Sequence, residues 1–156
     1  MPTVIRNTPS ELIPQELFNT EKTQEYWNVL YPDLNNETIG IDKFGAFFLL
    51  YPKPKEEKTI HEITLLYQHI KEKFPNQANA LGVKVYENNF NVLVMKDQNI
   101  VYVGYFNFAV NEDIVYHTAN VAQHFFEDNT QITCFYKQLS SQMLKLLNVY
   151  FEMKQL

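Results

Sequence analysis

Three successive stretches in the second half of the chain alternate between apolar and polar residues, which is typical of β-strands with one face in a core. They run over 81–87, 90–94 and 100–110, and polar turns at Asn88-Asn89 and at 97–99 separate them. Short strands joined by such turns predict an antiparallel meander. The residues that share the core face are Leu81, Val83 and Val85 in the first strand and Phe90, Val92 and Val94 in the second.

After the meander, the apolar residues recur every three or four positions, which is the period of an amphipathic helix. The pattern predicts a helix that Asn111 caps and that ends near Glu127, a short strand over 132–136, and a last helix over 139–153. The order β-β-β-α-β-α predicts a mixed sheet, in which a parallel strand follows a right-handed crossover helix. This α/β topology resembles the opening of the ribonuclease-H-like half-domain found in actin-like ATPases and sugar kinases.

The first half of the chain is less regular. An extended segment over 3–7 precedes a segment over 10–18, in which Pro14 indicates the start of a helix. A second helix is expected from Asn19 or Thr20 to Leu30, because both residue types cap helices well.

Two strands with a tight connection are predicted over 38–43 and 45–51, followed by a proline-containing loop over 52–55. Thr59 and Glu62 have the spacing of a capping box, and the apolar residues after them predict a helix up to Pro75. We therefore expect an N-terminal α/β subdomain over 1–76 and a ribonuclease-H-like subdomain over 77–156.

Charge argues against nucleic acid as a partner. The chain has 13 lysine or arginine residues against 18 acidic ones, with a formal net charge of −5 and one arginine, Arg6. The nearest approach to a basic run, Lys53 to Lys58, is interrupted by Glu56 and Glu57. Nucleic-acid surfaces need clustered positive charge, so this run indicates a solvated loop.

Neither a membrane span nor a signal peptide is expected, because the longest apolar run, Ala46 to Tyr51, is far shorter than the roughly 20 residues that a spanning helix needs. The single cysteine, Cys134, lies in the short strand over 132–136 and is predicted to be a buried structural thiol. These features predict a cytoplasmic protein.

Two sequence stretches carry a resemblance to a known family. The segment Leu12 to Phe18 and the hairpin over 90–108, followed by the acidic helix start Glu112-Asp113 and by Val115-Tyr116-His117, resemble an uncharacterised bacterial family with an actin-like ATPase fold. Members of that family are longer, and the resemblance implies a shortened or partial member. It implies that the leading hairpin and helix of the first half and the closing strand and helix of the second are absent. Because exposed sheet edges are a liability, we expect a neighbouring chain to cover one, as in a homo-oligomer.

The resemblance also implies an ATP site, and the residues argue against one. Nucleotide sites of this fold use two hairpin turns in which an aspartate is followed closely by glycines, whose backbone N–H groups bind phosphate. The chain has only 4 glycines. In the second half, the corresponding turn from Tyr86 to Phe90 has neither glycine nor aspartate, and Glu87, Asn88 and Asn89 are its weak candidate ligands. In the first half, Asp42 precedes Gly45 by three residues, with Phe44 between them, which favours an ordinary hairpin turn. We expect no cofactor and no ATP hydrolysis.

The four histidines form two pairs, His61 with His69 and His117 with His124, and each pair could share a helix face. Metal sites on helices favour a spacing of four residues or a His-Glu-x-x-His motif, whose closing position here is Leu65. We therefore predict surface or helix-end roles for the histidines, and no metal.

The strand over 100–110 is aromatic on both faces, with Tyr102, Phe106 and Phe108 on one and Val103 and Tyr105 on the other. Such a strand is either enclosed between layers or available to a partner, and aromatic residues are enriched at interface centres. The candidate interaction residues are Tyr102, Tyr105, Phe106 and Phe108. The sequence thus predicts a non-catalytic interaction or scaffold module with an unidentified protein partner. The alternative is a nucleotide-binding sensor or a weak ATPase or kinase-like enzyme.

Overall fold

A computed structural model describes residues 1–128 and 131–156. The chain contacts divide it into two compact units, Met1–Leu65 and Leu66–Leu156. The division falls within a helix, earlier in the chain than the boundary expected after residue 76.

The first unit contains two small sheets and one complete helix. Strand β1 (Thr3–Ile5) pairs in parallel with β5 (Thr59–His61). Strands β2 (Glu11–Pro14), β3 (Thr38–Phe44) and β4 (Phe47–Lys53) form an antiparallel sheet in the order β2-β4-β3. Helix α1 (Thr23–Leu30) buries Trp27 completely, and the indole stacks on Tyr31 with ring centroids 4.4 Å apart.

The helix expected around Pro14 is partly wrong, because only a 3-10 helix of three residues starts directly after Pro14. Residues 11–14 form strand β2, which pairs with β4 from Glu11 opposite Leu50 to Pro14 opposite Phe47. A short 3-10 turn, Gln15–Leu17, follows it. Proline is tolerated at the end of an edge strand as well as at a helix start, so Pro14 did not distinguish the two.

The helix expected from Thr59 begins later, because Thr59–His61 is strand β5. Helix α2 (Glu62–Lys73) starts directly after it and crosses the boundary between the units. The parallel pairing of β5 with β1 overrides the capping signature, since it depends on residues far away along the chain.

The loop expected over 52–55 is also partly wrong, because β4 continues through Pro52 to Lys53. Strand β2 pairs with β4 only as far as Leu50. Beyond that residue, Pro52 is paired with β3 on one side, and no strand of the described residues pairs with it on the other. A proline with no backbone N–H is compatible with that position.

The second unit contains a five-stranded mixed sheet. Its strands are β6 (Ala80–Val85), β7 (Asn89–Lys96), β8 (Asn99–Asn107), β9 (Thr133–Tyr136) and β10 (Glu152–Gln155), in the order β10-β9-β6-β7-β8. The meander β6-β7-β8 is antiparallel, and β6, β9 and β10 are parallel. The predicted meander and the parallel strand after the crossover helix are confirmed.

Helices cover both faces of this sheet. Helices α3 (Asn111–Phe125) and α4 (Ser141–Leu147) pack on one face, where the predicted core residues of β6 and β7 form a single cluster with Ile114, Val121 and Leu147. On the other face, Leu66 and Ile70 of α2 contact Gly82 closely. Cys134 is completely buried, and burial raises the pKa of its thiol to about 12, so the prediction of a structural thiol is confirmed.

Two turn predictions differ in detail. The β6–β7 turn centres on Glu87-Asn88, because the Tyr86 N–H donates to the Asn89 carbonyl at 2.8 Å. Positive φ is found in the β7–β8 turn, at Asp97 (51°) and Gln98 (66°), and not at Asn88-Asn89. Two consecutive residues with positive φ are the signature of a type I′ hairpin turn.

The caps and ends of the last helices differ as well. Asn111 is the first residue of α3 rather than its cap, and the Asp113 carboxylate accepts the N–H groups of Ala109 and Val110, which lowers its pKa.

The last helix was predicted to reach Met153, but α4 ends at Leu147. The chain then forms β10. There the backbone N–H of Glu152 donates to the carbonyl of Ile132, and the backbone N–H of Leu156 donates to the carbonyl of Tyr136. In the described residues, strand β10 lies at one edge of the sheet, next to β9.

Candidate functional site

Asp42 is the centre of a polar network in the first unit. It lies on β3, and its carboxylate accepts three hydrogen bonds: from the Tyr51 hydroxyl at 2.8 Å, from the His61 N–H at 2.9 Å, and from the Thr64 hydroxyl. Tyr51 also lies 3.2 Å from the Thr59 hydroxyl. Strands β3, β4 and β5 and the start of α2 thus converge on one carboxylate.

His61 joins this network through its imidazole as well as its backbone. The ring is completely buried, its centroid lies 5.1 Å from that of Tyr51, and its Nδ1 atom accepts the Ile63 N–H at 3.2 Å. Because Nδ1 is an acceptor, the neutral ring carries its proton on Nε2, 3.3 Å from the Thr8 hydroxyl. Burial lowers the His61 pKa to about 4, so the ring is neutral at physiological pH.

Tyr51 fills the space above β3. A Cβ atom at Gly40 would collide with the Tyr51 ring, so the glycine permits the ring to lie directly on the strand. Burial is the main cause that raises the Tyr51 pKa, and the phenol therefore stays protonated and donates to Asp42. The Asp42 carboxylate is thus satisfied by groups of the chain itself.

The segment from Asp42 to Gly45 forms the predicted hairpin turn. Asp42 and Phe44 belong to β3, and Gly45, with a φ of 51°, begins the turn into β4. The aspartate therefore lies within a strand rather than in a glycine-containing loop.

The second candidate, the β6–β7 turn, carries Glu87 and Asn88 exposed at its tip. The Asn88 carbonyl accepts the Phe108 N–H at 3.0 Å, and the Asn89 amide donates to the Asn107 side chain. Both asparagines are thus tied to the end of β8 and the residue after it, and a carboxylate stands at the tip of the turn. The carboxylate at the tip would repel a phosphate, and the turn does not present a set of backbone N–H groups that could bind one.

The aromatic residues of β8 line a groove against α3. Phe106 stacks on His117, with ring centroids 4.8 Å apart, and Tyr102 lies 5.3 Å from Phe125. Tyr102, Phe106 and Phe108 all pack at the margin of the core and are half-buried. The groove has a volume of about 370 Å³, and its lining includes Tyr102, Phe106, His117, Asn120, His124 and Phe125.

The histidine pairs have different outcomes. His117 and His124 share a face of α3, as their spacing predicts, and both line this groove. His61 and His69 do not share a helix, since His61 ends β5. The surface role predicted as one possibility for His61 is wrong, because its ring is buried, but the helix-end role is confirmed, because its Nδ1 accepts the Ile63 N–H at the start of α2.

Sequence reasoning did not identify the partners of Asp42. Tyr51, the His61 N–H and Thr64 reach it only through the β3–β4 register and the β5–α2 connection. One signal was available: Asp42 is a lone acidic residue within a strand-forming segment, a position that calls for partners.

Within residues 1–128 and 131–156, no group of three or more His, Cys, Asp or Glu side chains could hold a metal ion. In the same residues, no helix is long and apolar enough to cross a membrane.

No family model matches the chain, and no curated protein matches it either. A solved structure does: a Bacteroides thetaiotaomicron protein of unknown function with an actin-like ATPase fold, determined at 1.85 Å resolution. The TM-score is 0.82 over 98% of this chain, at 13% sequence identity. The chain has an actin-like ATPase fold.

This actin-like fold agrees with the resemblance that the sequence indicated. The present chain covers 66% of the length of the Bacteroides protein, so it is the shorter of the two. At 13% identity, this similarity establishes the fold only. The function has to be argued from the residues of the candidate site.

Proposed function

We propose that this protein is a non-catalytic interaction module, in which an actin-like fold has lost its phosphate chemistry and binds a protein through strand β8. We also propose a cytoplasmic location, which the free, buried Cys134 favours.

The Asp42 network supports the loss of chemistry in the first unit. An aspartate that orients Mg²⁺ or water must present its oxygens to the ligand. Here both oxygens accept hydrogen bonds from the chain, and the ring of Tyr51 packs directly against Gly40 of the same strand. A metal ion could bind Asp42 only if the hydrogen bonds from Tyr51, His61 and Thr64 were broken.

The β6–β7 turn supports the same conclusion in the second unit. It contains no glycine, and Glu87 places a negative charge at its exposed tip. Asn88 and Asn89 are fixed to the end of β8 and to Phe108. A phosphate approaching this turn would meet side chains and like charge.

The observation that carries the binding role is the position of β8. In the described part of the chain, β8 is an edge strand of the five-stranded sheet, and it is nine residues long. Aromatic residues occupy both of its faces, and the groove along α3 runs beside it. Edge strands bind partners by strand addition, with main-chain hydrogen bonds for affinity and side-chain pockets for specificity.

Site-specific photocrosslinking in the native cell tests this role. We expect a photoreactive phenylalanine analogue in place of Asn107, which is exposed on β8, to form a cross-linked protein adduct. The same analogue in place of Tyr150, which is 62% exposed and lies outside β8, is the matched control. Equal labelling from both positions, or none from residue 107, would contradict the proposed function.

A further inference from the structure

We propose that the first unit binds a small organic carboxylate with an apolar body, in a cavity beside β1 whose lining includes Arg6, Thr8 and Lys53. This Arg6 cavity shares no residue with strand β8, so the proposal does not depend on the partner role of that strand.

The Arg6 cavity has the size and the mostly apolar lining of a small-molecule site. Its volume is about 640 Å³, within the range of roughly 300–1,000 Å³ that is usual for such sites. Most of the lining residues are apolar: Val4, Ile5, Pro9, Leu34, Pro52 and Pro54. The three prolines restrict the backbone of these walls, which lowers the entropic cost of ordering them around a ligand.

The charged residues of the lining favour an anion. Arg6 and Lys53 supply two cations against the one carboxylate of Glu37, although the whole chain has a net charge of −5. The planar guanidinium of arginine binds a carboxylate through two parallel N–H···O bonds, and Arg6 is the single arginine of the sequence. An excess of cations at one cavity of an acidic chain indicates a negatively charged ligand.

Both cations keep hydrogen-bond donors for a ligand. The Arg6 Nε atom lies 3.8 Å from a Glu62 oxygen, which is longer than a hydrogen bond, and 67% of the Arg6 side chain is exposed. The Lys53 ammonium donates to the Glu57 carbonyl at 2.7 Å, which uses one of its three N–H groups. A carboxylate in the cavity could therefore accept from both residues without breaking either contact.

Thr8 adds a neutral donor that the buried His61 ring orients. Because the His61 Nδ1 atom accepts the Ile63 N–H, the neutral ring carries its proton on Nε2. That atom lies 3.3 Å from the Thr8 hydroxyl oxygen and cannot accept the hydroxyl proton. The Thr8 O–H must therefore donate in another direction, and a ligand in the cavity that Thr8 lines can accept it.

An organic carboxylate fits this set of groups better than inorganic phosphate does. Arg6, Thr8 and Lys53 are all donors, and an ionised carboxylate accepts hydrogen bonds without donating any. The apolar walls require a ligand that also brings apolar surface, which phosphate lacks.

The single arginine makes a selective binding test possible. Protein labelled with ¹⁵N only in arginine gives one Nε–Hε signal in an NMR spectrum, that of Arg6. The probe is phenylacetate, and its control is phenylacetamide, which has the same apolar body and no charge. We expect millimolar phenylacetate to shift the Arg6 signal until it saturates, and the amide to leave it in place. No shift, a shift that grows without saturation, or an equal response to the amide or to inorganic phosphate would overturn the proposal.

A matched pair of variants tests whether the cavity, rather than the exposed guanidinium alone, binds the probe. Lys53→Met removes an ammonium group of the lining, whereas Lys55→Met removes one that is two residues away and is not part of the lining. We expect phenylacetate to bind about tenfold more weakly to Lys53→Met, and to change by less than about twofold in Lys55→Met. Equal affinities of the two variants would overturn the proposal. If Lys53→Met does not fold, the comparison of phenylacetate with phenylacetamide and phosphate on the wild type decides the question.

Discussion

Replacing Asp42 with alanine is expected to lower the free energy of unfolding by about 3 kcal/mol, because the change leaves the Tyr51 hydroxyl, the His61 N–H and the Thr64 hydroxyl without their acceptor. Each buried donor that loses its partner costs on the order of 1–3 kcal/mol, and Tyr51 recovers part of that through Thr59. Urea unfolding of the variant, with an unchanged slope against denaturant, gives the measurement.

Asp33→Ala is the control for this variant. Asp33 is exposed in a 3-10 turn, so its replacement should change stability by less than about 0.5 kcal/mol. Equal stability of Asp42→Ala and Asp33→Ala would mean that Asp42 is not held by the network. Its carboxylate would then be available to a ligand, and the proposed loss of chemistry in the first unit would be wrong.

Acid is expected to destabilise the protein through His61. Its pKa is lowered from 6.5 to about 4 in the folded chain, so the folded state favours the neutral ring. The resulting stabilisation is complete above the unfolded value of 6.5 and is lost as the pH falls from 6.5 towards 4. The full loss is about 3 kcal/mol, and slightly more than half of it should be visible at pH 5.

The main reason is the burial of the ring, which disfavours the charged form, and the surroundings of the Nδ1 atom act in the same direction. A proton there would face the Ile63 N–H and place a positive charge at the N-terminus of α2, where the helix dipole is also positive. The groups that face the ring are Tyr51, which stays protonated throughout, and the Thr8 hydroxyl, while Asp42 contacts the His61 backbone. Measurements between pH 7 and pH 5 therefore separate His61 from the titration of carboxylates.

Comparison of two variants across this range identifies the titrating group. We expect His61→Gln to be less stable than wild type at pH 7 and to lose most of the pH dependence, whereas His124→Gln, at an exposed position of α3, should retain it. A His61→Gln curve parallel to that of wild type would assign the acid sensitivity to another residue.

The meander of the second unit could be predicted from the sequence because its signals are local. Phe90, Val92 and Val94 alternate along one strand, and their faces follow from the two-residue period alone. Strands β5 and β10 were missed for the opposite reason. Each is only three or four residues long and exists through parallel pairing with a distant strand, while the residues around it also fit a helix.

For the candidate sites too, only the features that local sequence encodes could be predicted. The absence of glycine from the β6–β7 turn could be read from the sequence, and so could the aromatic character of β8. The groove beside Phe106 could not, because it depends on how α3 lies against the sheet. The network around Asp42 required the register that places Tyr51 over Gly40, and no local pattern encodes that contact.

Thermal unfolding with Mg²⁺ and ATP or ADP tests most directly our proposal that this actin-like fold no longer binds a nucleotide. A ligand at 100 times its dissociation constant stabilises the folded state by about 2.7 kcal/mol, which shifts Tm by several degrees in a chain of this size. We predict that millimolar nucleotide with Mg²⁺ leaves Tm unchanged within one degree or so. A rise of several degrees that saturates with nucleotide and requires Mg²⁺ would contradict the account and would indicate a nucleotide-binding protein.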